Sequence, residues 1–168
     1  MNPKAKSAPK SNTPESLIYQ LKITLQESNP PIWRTVEVPA HFTLEYLHWI
    51  IQEAMGWEME HLWQFLVGKV YYSDPRYWGN EPFGSDKPND ARKIKIQAVL
   101  PKEKKRIFYE YDLGDGWLHE IVLEKILPPE PKKQYPRCVG GERACPPEDC
   151  GGIYGYYGNP HSTCDQGE

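Results

Sequence analysis

The chain has 168 residues and a formal net charge of −3, from 20 basic and 23 acidic side chains, with 39% hydrophobic and 26% charged residues. That length suits one domain with short tails, and the charge balance argues against a protein held to nucleic acid by bulk electrostatics. No apolar run approaches the roughly 20 residues needed to cross a bilayer. The charged, proline-bearing N-terminus has no apolar segment of the kind a secretory signal requires, so the expected compartment is the cytoplasm.

Residues 1–15, "MNPKAKSAPKSNTPE", are basic, rich in Pro and Ser, and predicted to form a disordered tail. The single domain is predicted over 16–158, with a second disordered tail at 159–168. From Leu17 the pattern changes. Leu17, Tyr19, Leu21, Ile23 and Leu25 alternate with polar residues, which predicts a half-buried strand. "ESNPP" turns the chain, and "IWRTVEV" is the expected hairpin partner. "TLEYLHWIIQEAMGW" is the clearest helix, with Thr43 as N-cap, Glu45 in the first turn and Gly56 just past the end. Its apolar face is Leu44, Leu47, Ile50, Ile51, Ala54 and Met55. "HLWQFLVGKVYY" reads as strand, Gly68 turn and strand. Residues 73–92 read as a long loop, and "KIKIQAVL" as a short strand entering one helical turn.

The stretch "YDLGDGWLHEIVLE", residues 111–124, predicts another hairpin. Ile107, Tyr109, Tyr111 and Leu113 fall on one face of its first strand. Trp117, His119, Ile121 and Leu123 share a face of the second. A three-residue loop, Gly114-Asp115-Gly116, brings these faces together by pairing Leu113 with Trp117 and Tyr111 with His119. That register leaves Glu110 opposite Glu120. It puts Trp117 on the packed face with His119 partly buried beside Tyr111, and Asp112 on the other face. The simplest reading of His119 is a core histidine hydrogen-bonded to a neighbour, and of Asp115 a turn former.

Several blocks, "YQLKITL", "PPIWRTVEVP", "TLEYLHWIIQEAMGW", "YEYDLGDGWLHEIVLEKIL" and "PRCVGGERACPPEDCGGIYGY", together resemble the plasmid pRiA4b ORF-3-like family, in order from about Leu17 to Tyr156. The resemblance implies an α+β roll: a mixed, mainly antiparallel sheet wrapped on one main helix, followed by a long irregular Cys/Gly/Pro-rich C-terminal region. It also implies an association with plasmids and transposable elements, and marks His48, Trp57, His61, the "YDLGDGWLH" hairpin and the "CPPEDCGG" loop as motif positions. Leu113 stands where the family pattern has Phe. Family chains usually continue past "GGIYGY" into a further helix, whereas here "YGNPHSTCDQGE" follows.

A resolvase label attached to some members finds no support in the residues. Neither a serine set among arginines nor a tyrosine with clustered arginines and histidine is present in the spacing those chemistries need. The chemical candidates are instead a cluster of acids and imidazoles, His48, His61, Asp112, Asp115, His119, Glu148 and Asp149, with Trp117 as its floor. If the cysteine loop folds back on the hairpin tip, these groups form a cleft for a hard cation or polar ligand. The plainer alternative is that Glu148 and Asp149 cap amides of their own glycine-rich loop.

Cys138, Cys145, Cys150 and Cys164, with His161 or His119, offer a less favoured zinc set. No CxxC knuckle is present, and two prolines stiffen the loop, so reduced cysteines and no cofactor are the expectation. The favoured function is a non-enzymatic binding or adaptor module for an unknown protein partner, with Tyr71, Tyr72, Tyr77 and Trp78 on the partner face. The alternatives are a metal-dependent enzyme using the acid–histidine cluster, and a weak nucleic-acid-binding accessory using the basic tail and "PKEKKR" at 101–106.

Overall fold

The structure, a computed structural model, describes residues 16–78 and 87–158. Both predicted tails lie outside these residues. The strands are β1 (Ile18–Leu25), β2 (Ile32–Pro39), β3 (Trp63–Val67), β4 (Val70–Ser73), β5 (Asn89–Asp90), β6 (Arg106–Tyr111), β7 (Trp117–Leu127) and β8 (Arg137–Glu142). The helices are α1 (Leu44–Met55), the short α2 (Ile96–Val99) and α3 (Gly152–Gly158), with a 3-10 turn at Pro75–Tyr77. The class is α+β. The strands form one sheet in the order β5-β4-β3-β6-β7-β1-β2-β8. Every neighbouring pair is antiparallel except β4–β5.

The alternation in β1 does what its period requires. Leu21, Ile23 and Leu25 are buried, and β1 pairs along its whole length with β2 on one side and with β7 on the other. Helix α1 begins at Thr43, whose side chain accepts from the Tyr46 amide, and ends at Gly56 in the left-handed region. Leu44, Leu47, Ile51 and Met55 join the sheet residues in one core. Burial of each such side chain stabilises by about 1.5–3 kcal/mol.

Four expectations are corrected. The β6–β7 hairpin is offset by two residues: Tyr111 pairs with Trp117 and Tyr109 with His119. The faces are unchanged, because a two-residue slip preserves side-chain direction, and Glu120 now faces Phe108 instead of Glu110. The offset arises because Asp112 leaves the strand with φ of 58° and its Oδ1 accepts from the amides of Gly114 and Asp115. This local aspartate turn spends the residues expected to continue the strand. Second, "KIKIQAVL" forms only the α2 turn and an isolated bridge from Lys95 to Thr43. Third, the expected loop 73–92 begins in β4 and contains the 3-10 turn and β5, and residues 79–86 of it lie outside the described residues. Fourth, the C-terminal region is not wholly irregular, since it supplies edge strand β8 and helix α3.

Candidate metal centre

Two groups of histidines occur in the sheet and its margins, and they have opposite characters. His119 is fully buried on β7; its Nδ1–H faces the Tyr109 carbonyl at 3.1 Å, and its Nε2 accepts from Trp57 Nε1 at 3.4 Å. His48, on α1, shares a 2.6 Å hydrogen bond with the Tyr109 hydroxyl and stacks on Trp63 with centroids 4.0 Å apart. Burial pushes the His48 pKa down to about 3 and that of His119 down to about 4. Both are neutral, partnered core residues. Trp117 is likewise core, packed on Trp57. These three of the expected cluster do not meet the acids.

His61 does. It sits between Met59, which takes a left-handed φ of 58°, and the start of β3, so the chain turns sharply before the imidazole. Its Nε2 lies 2.8 Å from Asp149 Oδ1, 3.5 Å from Glu148 Oε2 and 3.6 Å from Asp112 Oδ2. Yet this nitrogen is shielded from solvent and has no aligned hydrogen-bond acceptor, and Glu148 Oε2 has no partner either. The donors of His61, Asp112 and Asp149 all lie within 4.8 Å of one another. Asp112 and Asp149 share a left-handed backbone, with φ of 58° and 55°, a conformation that Asp tolerates better than most residues and that recurs at functional sites.

Each of the two sheltered carboxylates is fixed through one oxygen and leaves the other to the centre. Asp112 spends Oδ1 on the Gly114 and Asp115 amides. Glu148 spends Oε1 on the Glu58 amide at 2.7 Å and the Tyr111 hydroxyl at 2.9 Å. Glu148 therefore caps amides of the His61 loop, not those of its own loop. The remaining oxygens, Oδ2 and Oε2, are the ones that approach His61. Asp149 is the exposed member, its side chain 61% accessible.

Spacing and charge both suit a divalent cation. Two donors at right angles on an ion with bonds of about 2.1 Å lie about 3.0 Å apart, within the spread seen around Nε2. Burial opposes charge on His61, but the negative charges of Asp112, Asp149 and Glu148 outweigh it and hold the His61 pKa above the ordinary value. One imidazolium among three carboxylates leaves a net negative centre, which a doubly charged ion neutralises further than a proton does.

The loop carrying the acids folds back on the hairpin tip. The Gly151 amide donates to Asp115 Oδ2, and a Cβ at Gly152 would collide with the Asp115 carbonyl. Asp115 is thus a latch for the loop and takes no part in the cluster. The less favoured zinc set can be followed only through its described members, Cys138, Cys145 and Cys150. Cys145 lies beneath Arg34 and against Met55, while Cys138 is exposed on β8. None of the three described cysteines is in a disulfide, and the metal-compatible group found among the described residues contains no cysteine. Cys164 and His161 lie outside the described residues. Of the rings expected on a partner face, Tyr71 and Tyr77 are exposed, whereas Tyr72 packs partly against the core.

Sequence reasoning gave Tyr111 only a packing role. Its hydroxyl bonds Glu148 and accepts from the Glu60 amide at 3.1 Å. No local signal marks this, because both partners are remote in sequence. His61 also lines a cavity with His48, Trp49, Glu60, Trp63, Arg76 and Tyr77.

Residues 17–165 match the family model for plasmid pRiA4b ORF-3-like proteins. The chain is 38% identical over 141 residues to the uncharacterized protein y4hQ of Sinorhizobium fredii (strain NBRC 101917 / NGR234), a match covering 83% of this chain and 69% of that protein. It resembles the crystal structure of MM3350, a protein of unknown function from Methanosarcina mazei Go1. That likeness has a TM-score of 0.72 and 34% identity, and covers 84% of this chain and 78% of the other.

Proposed function

We propose, for a chain that belongs to the plasmid pRiA4b ORF-3-like family, that the domain binds a divalent metal ion through His61, Asp112, Glu148 and Asp149 and works as a metal-dependent protein. One observation carries this: a solvent-shielded imidazole nitrogen has three carboxylate oxygens within 3.6 Å and an aligned hydrogen bond to none of them. A divalent ion that displaces the imidazole proton can draw the lone pairs of all four side chains onto one point, which a proton shared with a single carboxylate cannot do. One nitrogen with carboxylate oxygens favours manganese, iron or zinc over calcium. The exposed Asp149 side leaves room for water or a substrate oxygen on the ion, which is the arrangement of a hydrolytic centre. The frame is read as a roll in which the sheet curls about α1.

Calorimetric titration of chelator-treated protein with Mn2+ and Zn2+ tests the proposal. About one ion per chain is expected for wild type, with binding lost in His61→Ala and Asp112→Asn. Stoichiometric binding that survives both substitutions, or no binding by wild type, overturns it.

The adaptor reading has one specific support. A shallow apolar groove runs between the outer face of α1 and β8, lined by Val36, Tyr46, Trp49, Ile50, Ala54 and Pro136, with Tyr46 and Trp49 exposed at its rim. A partner held there would leave the metal centre free.

A further inference from the structure

Tyr111 is the last residue of β6, next to the ligand Asp112 in sequence, and its side chain is completely buried. A phenol at a buried strand end need only find one partner for its hydroxyl. This one has two, each on a different chain segment. It donates to Glu148 Oε1 and accepts from the Glu60 amide, and its ring meets the His61 ring edge-on with centroids 5.8 Å apart.

We propose that Tyr111 is the positioning residue of the metal centre, holding Glu148 from the C-terminal loop and the His61 loop in register with Asp112 through a single hydroxyl. This rests on the metal-binding reading above. The argument is one of restricted rotation. A glutamate with both oxygens unbound swings through several rotamers, and either oxygen can face an ion. With Oε1 occupied by the Tyr111 hydroxyl and the Glu58 amide, only Oε2 is presented. The same hydroxyl fixes the Glu60 amide, one residue before His61, so the imidazole cannot retreat without breaking that bond. Partners of this kind, one bond behind the ligands, typically change metal affinity 10–100-fold when removed.

Tyr109 is a control built into the same strand. It is equally buried and its hydroxyl is also doubly bonded, but to His48 and Gln52, neither of which is a proposed ligand. Gln52 in turn accepts from the Met59 amide, so this hydroxyl reaches the His61 loop only through an intervening side chain and bonds no proposed ligand directly.

The experiment measures Mn2+ affinity of the full chain for wild type, Tyr111→Phe, Tyr109→Phe, Glu148→Gln and the Tyr111→Phe/Glu148→Gln double variant, with near-ultraviolet circular dichroism confirming the fold of each. Phenylalanine keeps the ring and its packing. Tyr111→Phe is expected to weaken binding about 10–100-fold and Tyr109→Phe about threefold at most. In the Glu148→Gln background the further loss from Tyr111→Phe should shrink to a small factor, since a positioning residue has little left to position. The d–d absorption of the Co2+ form should shift in Tyr111→Phe and not in Tyr109→Phe. Wild-type affinity in Tyr111→Phe, equal losses in the two tyrosine variants, or losses that simply multiply in the double variant each overturn the inference while metal binding itself stands. A wild-type chain that binds no metal overturns both.

Discussion

The buried pair His48 and His119 and the rim residue His61 show the same side chain used in two ways. The buried pair is enclosed by rings: Tyr109 bridges them, Trp63 stacks on one and Trp57 donates to the other. The hydrogen bonds that these two imidazoles make are all to neutral groups. His61 has only one ring beside it and three carboxylates in front of it, and its Nε2 has no aligned partner. A satisfied histidine is part of the core, whereas one facing uncompensated charge is poised to bind something.

The largest separation between the two regions is expected in stability. Trp117 is 1% exposed and packs on Trp57 in a tilted ring pair beneath the hairpin. Trp117→Ala should cost about 3–5 kcal/mol, read as the shift in urea midpoint. Leu47→Ala on α1, also fully buried, should cost about 2–5 kcal/mol. His61→Ala, in metal-free protein, should cost under about 1 kcal/mol because its ion pairs are partly solvated. If His61→Ala destabilised as much as Trp117→Ala, the rim cluster would be structural and the division between the regions would fail.

This division was half visible in the sequence. Strict alternation exposed β1, and Thr43 with Gly56 bracketed α1, because such signals are local. The hairpin register was less so. "LGDG" offers several places to turn, and only the Asp112 side chain bonding its own following amides decides among them. Asp112, Glu148 and Asp149 were legible as a set of acids, but the imidazoles expected with them were His48 and His119 as well as His61. A histidine on a strand has a direction fixed by the two-residue period, and that direction leads into the core. His61 lies in an aperiodic loop whose course is set by distant contacts to Tyr111 and Glu148, which no local pattern encodes.

Acid separates the regions next. The unfolded-state histidine pKa is about 6.5, and the folded values are about 3 for His48 and about 4 for His119. Below pH 6.5 the unfolded chain therefore takes up protons that these folded residues refuse, so their contribution is present above about pH 6.5 and is lost as the pH falls towards their folded values. At pH 5 each should have withdrawn about 1–2 kcal/mol. Urea midpoints at pH 7 and pH 5 should show this, and His119→Gln should flatten the difference. Equal stability at both values in a His61→Ala background, where the opposing contribution of His61 is removed, would mean that neither buried histidine stays neutral in the fold. His61, whose pKa is raised, contributes with the opposite sign: its stabilisation is present at low pH and lost as the pH rises through its folded value.

Metal removal should be felt locally. The ligands come from the loop before β3, the hairpin tip and the loop before α3, so an ion ties the C-terminal segment to the sheet. Arg34 holds the start of that segment through the carbonyls of Glu142 and Arg143, and Tyr156 is buried at its end. Chelation should then speed amide exchange at 144–151 about tenfold or more, while β1, β6 and β7 remain protected. Uniform acceleration across the sheet would show that the ion supports the whole fold.

The smallest expected effect decides which acids belong to the centre. Asp115 was expected beside Asp112 in one cluster, yet its carboxylate turns to the Gly151 amide at 3.1 Å, while Asp112 Oδ2 faces His61. Asp115→Ala removes one exposed hydrogen bond and should cost about 0.5–1.5 kcal/mol. It loosens the loop slightly but removes no donor, so Mn2+ affinity should fall by less than about threefold. Asp112→Asn keeps an oxygen for the Gly114 and Asp115 amides and replaces an anionic donor with a weak one, so it should leave stability nearly unchanged and abolish tight binding. Two aspartates three residues apart thus have opposite expected profiles, one in the melting curve and one in the titration. Should Asp115→Ala abolish binding while Asp112→Asn retained it, the centre would lie on the Gly151 side of the tip and the assignment of ligands would be wrong.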